Sequence, residues 1–266
     1  MLNTPLFLFP LSFMQNKNIF LIILFLNVLP VFLCGQVKYP EWFIYPGEYP
    51  KVVTGFAREG SSTLADAETT WCAYHSCIAF GTLYRYQDLD QVDSDYYYNF
   101  SPDALKKIKG KLYPVKGSLF AINLITNDYI EAFSLEEDLK LPTEYIDYQS
   151  LPRPSWIEKY PMYTDSRYYY GIGEYTSRYN KIDAWKKSEE NAIFNIMTTL
   201  AVDFHTVMIE AKSDTYDTME KVQALKVKYL LRNIQVLERW MDTNKKLVYV
   251  LVRIPRKDVI SPMLNK

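Results

Sequence analysis

Apolar residues along this chain first form one nearly unbroken run and then settle into two periodicities. The run is Ile19 to Leu33, preceded by Lys17 and followed by Cys34, Gly35 and Gln36. That is the order of n-region, h-region and cleavage site in an export signal. It holds 15 residues with Pro30 inside, fewer than the roughly 20 that cross a bilayer as a helix. The pattern predicts a signal peptide over residues 1–35, with Met14 as an alternative start, and a body outside the cytoplasm, where disulfides are permitted. Cleavage after Gly35 would free Gln36. The competing outcome is lipidation of Cys34, although Leu33 stands where a lipobox carries a small residue.

The body carries a repeated order of signals. Pro40-Glu41-Trp42-Phe43 precedes Val52-Val53-Thr54-Gly55-Phe56-Ala57, and Pro154-Ser155-Trp156-Ile157 precedes Tyr169-Tyr170-Gly171-Ile172-Gly173. A helix start follows each, Thr63 with Asp66 and Asn180 with Asp183, offering a cap oxygen and a carboxylate near the positive end of the helix dipole. The offsets between copies are 114 for Trp, 116 for Gly and 117 for the cap pair. Helical stripes follow, Leu64, Ala67, Trp71, Tyr74 and Ile78 in the first copy, Ala192, Ile193, Ile196, Leu200, Phe204, Val207 and Met208 in the second. A second helix is predicted after Ser101-Pro102-Asp103, ending at Gly110, and another over Asp217 to Leu231. Strand pairs close both copies: Leu119 to Thr126 with Tyr129 to Leu135, and Ile234 to Met241 with Leu247 to Ile254, the last apolar on both faces and so central or doubly covered.

The expected fold class is therefore α+β in two tandem repeats, each strand-helix-helix-strand-strand with a small sheet packed on helices. The first repeat spans 36–135 and the second 154–266, joined by a linker over 136–153 that contains Pro142 and Pro152.

Composition narrows the function. Residues beyond 35 number 231, enough for one large domain or two small ones. Thirty basic against thirty-one acidic residues give no field that would concentrate nucleic acid. Three cysteines are too few for a disulfide scaffold.

Chemical motifs are weak. Gly171-Ile172-Gly173 has Thr176 at the third glycine position and its helix cap arrives only at Asn180, so close packing at a strand end is the favoured account. Gly55 to Gly60 has Walker-like spacing, but Ser61 replaces the phosphate-binding lysine. Cys72 and His75 are three apart on one helix, the spacing of a thiolate–imidazole dyad or of two metal ligands, with no evident third group. Cys77 lies about 140° around the helix from Cys72 and cannot pair with it. Buried structural cysteines and histidines, His205 included, are the expected reading. Glu136-Glu137 and Glu189-Glu190 read as solvated faces rather than an acid–base pair. Of the tyrosine runs, Tyr168 to Tyr170 must turn at least one ring inward, whereas Tyr96, Tyr97 and Tyr98 are the candidate interaction surface.

Taken together, the Pro-x-Trp turn, the tyrosine-rich strand ending Gly-x-Gly, the Asp-Ala helix and the closing Tyr249-Val250-Leu251-Val252-Arg253-Ile254-Pro255 resemble the membrane-associated lipoprotein family typified by the twenty-kilodalton Helicobacter antigen. The N-terminal domain of a flagellar outer-ring assembly protein is similar too. The likeness covers Pro154 to Val259, with a degenerate copy from Pro40 to Leu135. It implies an exported envelope protein, often lipidated, and carries over no catalytic residue.

The expectation is a noncatalytic envelope protein, an assembly or interaction component at the periplasmic side of the outer membrane. It has an envelope protein as partner, no cofactor or metal, no nucleic acid, and contact with the membrane only through a lipid anchor at Cys34. A peptidoglycan- or glycan-binding module is the alternative, and a periplasmic hydrolase using Cys72 and His75 a third.

Overall fold

The computed structural model describes residues 38–86, 91–202 and 222–260, all within one compact unit. Cys34, His205 and the rest of residues 203–221 lie outside the described residues. In chain order the first half contributes β1 (Lys38–Pro40), α1 (Glu41–Ile44), β2 (Val52–Ala57), α2 (Thr63–His75), β3 (Ser76–Tyr86), β4 (Gln91–Asn99), α3 (Pro102–Ile108), β5 (Tyr113–Pro114), β6 (Phe120–Asn123) and β7 (Asp128–Ser134). The second contributes β8 (Tyr145–Asp147), β9 (Met162–Thr164), β10 (Tyr168–Thr176), α4 (Lys181–Val202), β11 (Val222–Arg232), β12 (Gln235–Asp242), β13 (Leu247–Pro255) and β14 (Val259–Ile260). The result is a mixed α/β molecule with several small antiparallel sheets and few helices.

In the first half β7 lies between β2 and the β5 and β6 strands. In the second, the order β12-β13-β10-β9 places β13 between two neighbours, as its two apolar faces predict. Each sheet carries a helix at backbone contact, and glycine makes that approach feasible. A Cβ on Gly55 would sit 2.1 Å from the Thr63 carbonyl oxygen; on Gly171 and Gly173 it would sit 2.0 Å from that of Ala192 and 1.8 Å from that of Ser188. Beyond the end of β9, the Asn195 and Asn191 amides donate to the carbonyls of Ile172 (2.8 Å) and Glu174 (2.9 Å), groups that no strand covers.

Several expectations are corrected. The cap of α2 is Ser62, whose Oγ accepts from the Ala65 amide; Thr63 instead donates to Glu131 (2.6 Å). The α2 stripe stops short of Ile78, because the helix ends at His75 and runs directly into β3, where Cys77 and Ala79 are buried while Ile78 is exposed. The helix predicted over Asp217 to Leu231 is β11 from Val222 onward, in eleven-residue register with β3. Tyr229 and Leu231 are buried between exposed Lys228 and Arg232, an alternation of two that a long partner strand rewards. The 136–153 linker is not free chain: β8 pairs with β1, and Tyr148 is buried with its ring 5.4 Å from that of Tyr39.

The two halves share a sheet, β14-β11-β3-β4, in which β3 comes from the first half and β11 from the second. They also share a core. Tyr39 and Phe43 stack at 5.2 Å, and Phe43 meets Phe56 of β2 edge-on at 6.1 Å and Trp185 of α4 at 5.5 Å. Burying a side chain of this size contributes about 1.5–3 kcal/mol, so this cluster ties the halves into one unit.

Candidate functional site

Where β2 of one sheet and β12 of the other present their outer edges to each other, a cleft of about 140 Å³ opens. Its rim is Pro46, Tyr49 and Pro50 from the chain between α1 and β2, and Trp71 and His75 from the last turns of α2. Trp71 is partly buried against the cluster that Ala67 and Cys72 form with Val53, Ile108, Leu112 and Phe133, while His75 is exposed. Asn233, in the left-handed region at φ 55°, turns β11 into β12. The Ile234 amide that follows donates to the Tyr74 carbonyl (2.8 Å), using one of the acceptors that a helix end leaves open.

The β2 backbone adds donors and acceptors to one wall. The amides of Val52 and Phe56 point away from β7, to the Tyr49 carbonyl (2.9 Å) and the Asp66 carboxylate (2.9 Å). Antiparallel pairing alternates direction residue by residue, so the Thr54 amide between them also points outward. It has no partner among the described residues, and Thr54 lines the cleft.

Buried charge forms the floor. Arg239 is 2% exposed and Glu189 5% exposed. The Arg239 Nε and Nη2 donate to Glu189 Oε1 at 3.1 and 2.6 Å, and Nη1 donates to the Phe43 carbonyl at 2.6 Å. The guanidinium lies over the Phe43 ring at 4.3 Å. The Tyr74 hydroxyl donates to Glu189 Oε2; burial first, and then the Glu189 charge, push its pKa well above the ordinary tyrosine value, so it stays a neutral donor.

The sequence-derived candidates separate here. Cys72 and Cys77 are free and buried, and burial pushes the Cys77 thiol up to about 12. His75 turns from Cys72 to stack on Trp71 at 3.8 Å, with Nδ1 on the Trp71 carbonyl (2.9 Å). Cys72 is thus a core residue, and the two do not form a dyad. The tyrosine surface is corrected: Tyr96 to Tyr98 lie on β4, so their side chains alternate. Tyr97 is 59% exposed, whereas Tyr96 meets Phe194 of α4 with its hydroxyl buried and Tyr98 is half-buried against Phe100. The Glu189-Glu190 pair is corrected as well, since Glu189 is buried on Arg239 while Glu190 pairs with Lys187 at the surface (2.6 Å).

Glu189 and Arg239 were the site residues that reading the sequence missed. No local signal was available, because Glu189 stands among Lys186, Lys187 and Glu190, and Arg239 beside Glu238, where each reads as one more solvated charge. Among the described residues no group of three or more His, Cys, Asp and Glu side chains could hold a metal ion, and no helix is long and apolar enough to cross a membrane. No family model, characterised protein or solved structure matches the chain.

Proposed function

We propose that this chain is a noncatalytic component of the cell envelope, exported and acting at the periplasmic side of the outer membrane, that recognises an envelope protein through the cleft between β2 and β12. The observation that carries the reading is the state of the groups at the cleft floor. Arg239, Glu189 and Tyr74 neutralise or hydrogen-bond one another, and His75 is engaged by Trp71. A site arranged this way keeps a fixed shape and offers contact area, and the burial of Cys72 in the core leaves the exposed His75 imidazole no thiol beside it to activate. Its aromatic and proline rim suits an extended chain, and the Thr54 amide offers a hydrogen-bond donor to a backbone carbonyl of such a chain.

The chain is further read as two copies of one unit. Support comes from matching strand orders, β2-β7-β6 and β10-β13-β12, in which the first strand pairs with the last. Matching Pro-x-Trp turns add to it, with Pro40 at φ −59°, ψ 143° and Pro154 at φ −67°, ψ 140°. The resemblance to the lipoprotein family belongs to the same proposal.

A photoreactive residue at position 49, on the rim, tests the recognition role in cells, with position 107 on exposed α3 as control. A discrete protein adduct at 49 that disappears with Trp71→Ala is expected; adducts at neither position overturn it. The stacked Trp71 and nearby Tyr49 favour glycan as a second reading, and retention on purified sacculi without a protein adduct would put it first. Mass spectrometry of the mature N-terminus separates a Gln36 start from an acylated Cys34.

A further inference from the structure

The charge around the cleft is uneven. Tyr49, on the rim, follows exposed Glu48, and Glu41 and Glu144 meet where β1 and β8 end, the Glu41 amide donating to the Glu144 carbonyl (3.1 Å). Burial, and then the charges of Glu41, Glu48 and Glu144, raise the pKa of the Tyr49 hydroxyl; burial, and then Glu238, Glu48 and Glu41, do the same to Tyr45. The charges acting on the two hydroxyls are all carboxylates. The nearby cations are mostly spoken for. Lys51 pairs with Glu136 (2.7 Å), Arg239 with Glu189, and Lys38 stands opposite Asp147 in the β1–β8 register. Over residues 41–54, 70–75 and 232–239, with Glu144 beside them, Glu41, Glu48, Glu144 and Glu238 have no ion-pair partner among the described residues, against Arg232 as the cation without one.

The β2 edge that borders the cleft has one open pairing position. The amides of Val52 and Phe56 are occupied, by the Tyr49 carbonyl and the Asp66 carboxylate, whereas the N–H and C=O of Thr54 point outward together and meet no partner among the described residues. Two hydrogen bonds at Thr54 would fix the register of an added strand but supply little of its affinity, so side chains at the rim decide what binds. An extended chain advances about 6.6 Å over two residues. A segment paired at Thr54 therefore passes Val52 and reaches the Tyr49 end within a few residues.

We propose, resting on the cleft reading above, that the partner segment is basic: it adds to the β2 edge at Thr54 and lays lysine or arginine side chains over the Tyr49 end, with their cations on Glu41, Glu48 and Glu144. The aliphatic stems of such side chains cover apolar and aromatic surface while the charged head stays in water, and an aromatic face attracts the head as well. A metal ion fits poorly, since no three of the described carboxylates form a group that could hold one. An acidic segment would meet repulsion from the same carboxylates.

Three labelled nine-residue peptides, threonine alternating with lysine, with glutamine or with glutamate, test this against the full chain by fluorescence anisotropy. The lysine peptide should bind at least about tenfold more tightly than the glutamate peptide, lose that advantage at high salt, and slow hydrogen exchange of the Thr54 amide. Glu48→Gln with Glu144→Gln should leave the melting curve in place, since both side chains are exposed, and weaken the lysine peptide about fivefold. Equal binding of the lysine and glutamate peptides overturns the proposal, and so does a double variant that binds the lysine peptide as the native chain does. A photoadduct at position 49 that forms undiminished in the double variant also overturns it while keeping the cleft reading; absence of that adduct from the native chain removes both.

Discussion

Replacing Glu189 by methionine should be among the most damaging single changes to this molecule. It strands the Arg239 guanidinium, 2% exposed, with the Phe43 carbonyl and the Phe43 and Phe56 rings as company. Removing one partner of a buried ion pair costs about 3–5 kcal/mol. The Tyr74 hydroxyl loses its acceptor as well, which adds about 1–3 kcal/mol. The sum, at least about 4 kcal/mol, is a large share of the 5–15 kcal/mol that typically holds a folded protein and amounts to a fall in melting temperature of about 8 °C or more. Arg239→Met should cost a similar amount by leaving Glu189 charged and buried. The double variant contains no buried charge, so it should lose less than the two singles added together, by at least about 3 kcal/mol. Urea unfolding of the four proteins at neutral pH closes the cycle. Costs that add within about 0.5 kcal/mol would refute the coupling, and a Glu189→Met cost below about 1 kcal/mol would refute the burial argument itself.

Two further expectations concern packing and pH. Gly173→Ala drives a Cβ into the Ser188 carbonyl and to 2.5 Å from the Ala192 amide, so α4 must lift from β10. A loss of about 1–3 kcal/mol in thermal unfolding is expected, and an unchanged melt would show the contact to be loose. Asp66 accepts from the Phe56 amide and pairs with Lys186, yet burial, the largest influence, holds its pKa above the ordinary 3.8. The folded state therefore keeps this proton more tightly than the unfolded chain. The group's contribution to stability is complete at pH below 3.8, declines as pH rises through the folded pKa, and is level beyond. Asp66→Asn should remove that decline from the stability–pH curve; a difference between the two proteins that does not vary with pH would contradict the assignment.

The local elements were legible wherever the sequence held its own signal. The cap at Asn180 donates nothing to chance, its side chain accepting from the Asp183 amide (3.0 Å). Gly110 ends α3 in the left-handed region at φ 72°, and Asn127 turns the β6–β7 hairpin as its position predicts. The glycines of β10 were read correctly as sites of close backbone approach. Misreadings fell where a distant partner outvoted local pattern. Val222 to Leu231 can be written on a helix or a strand, and only the eleven-residue pairing with β3 selects the strand. Tyr145 to Asp147 looks like linker until β1 is laid beside it.

By itself the sequence determined period, punctuation and turn chemistry, because spacing, capping and glycine freedom act within a few residues. The tertiary fold decided which edges face each other, and with them the cleft. Glu189 and Arg239 are 50 residues apart, and a carboxylate read alone is placed in water, since burial without a partner is too costly. That cost is met only when α4 and β12 pack together and bring the guanidinium to it, so the polar floor exists as a property of the assembled core and of no shorter segment.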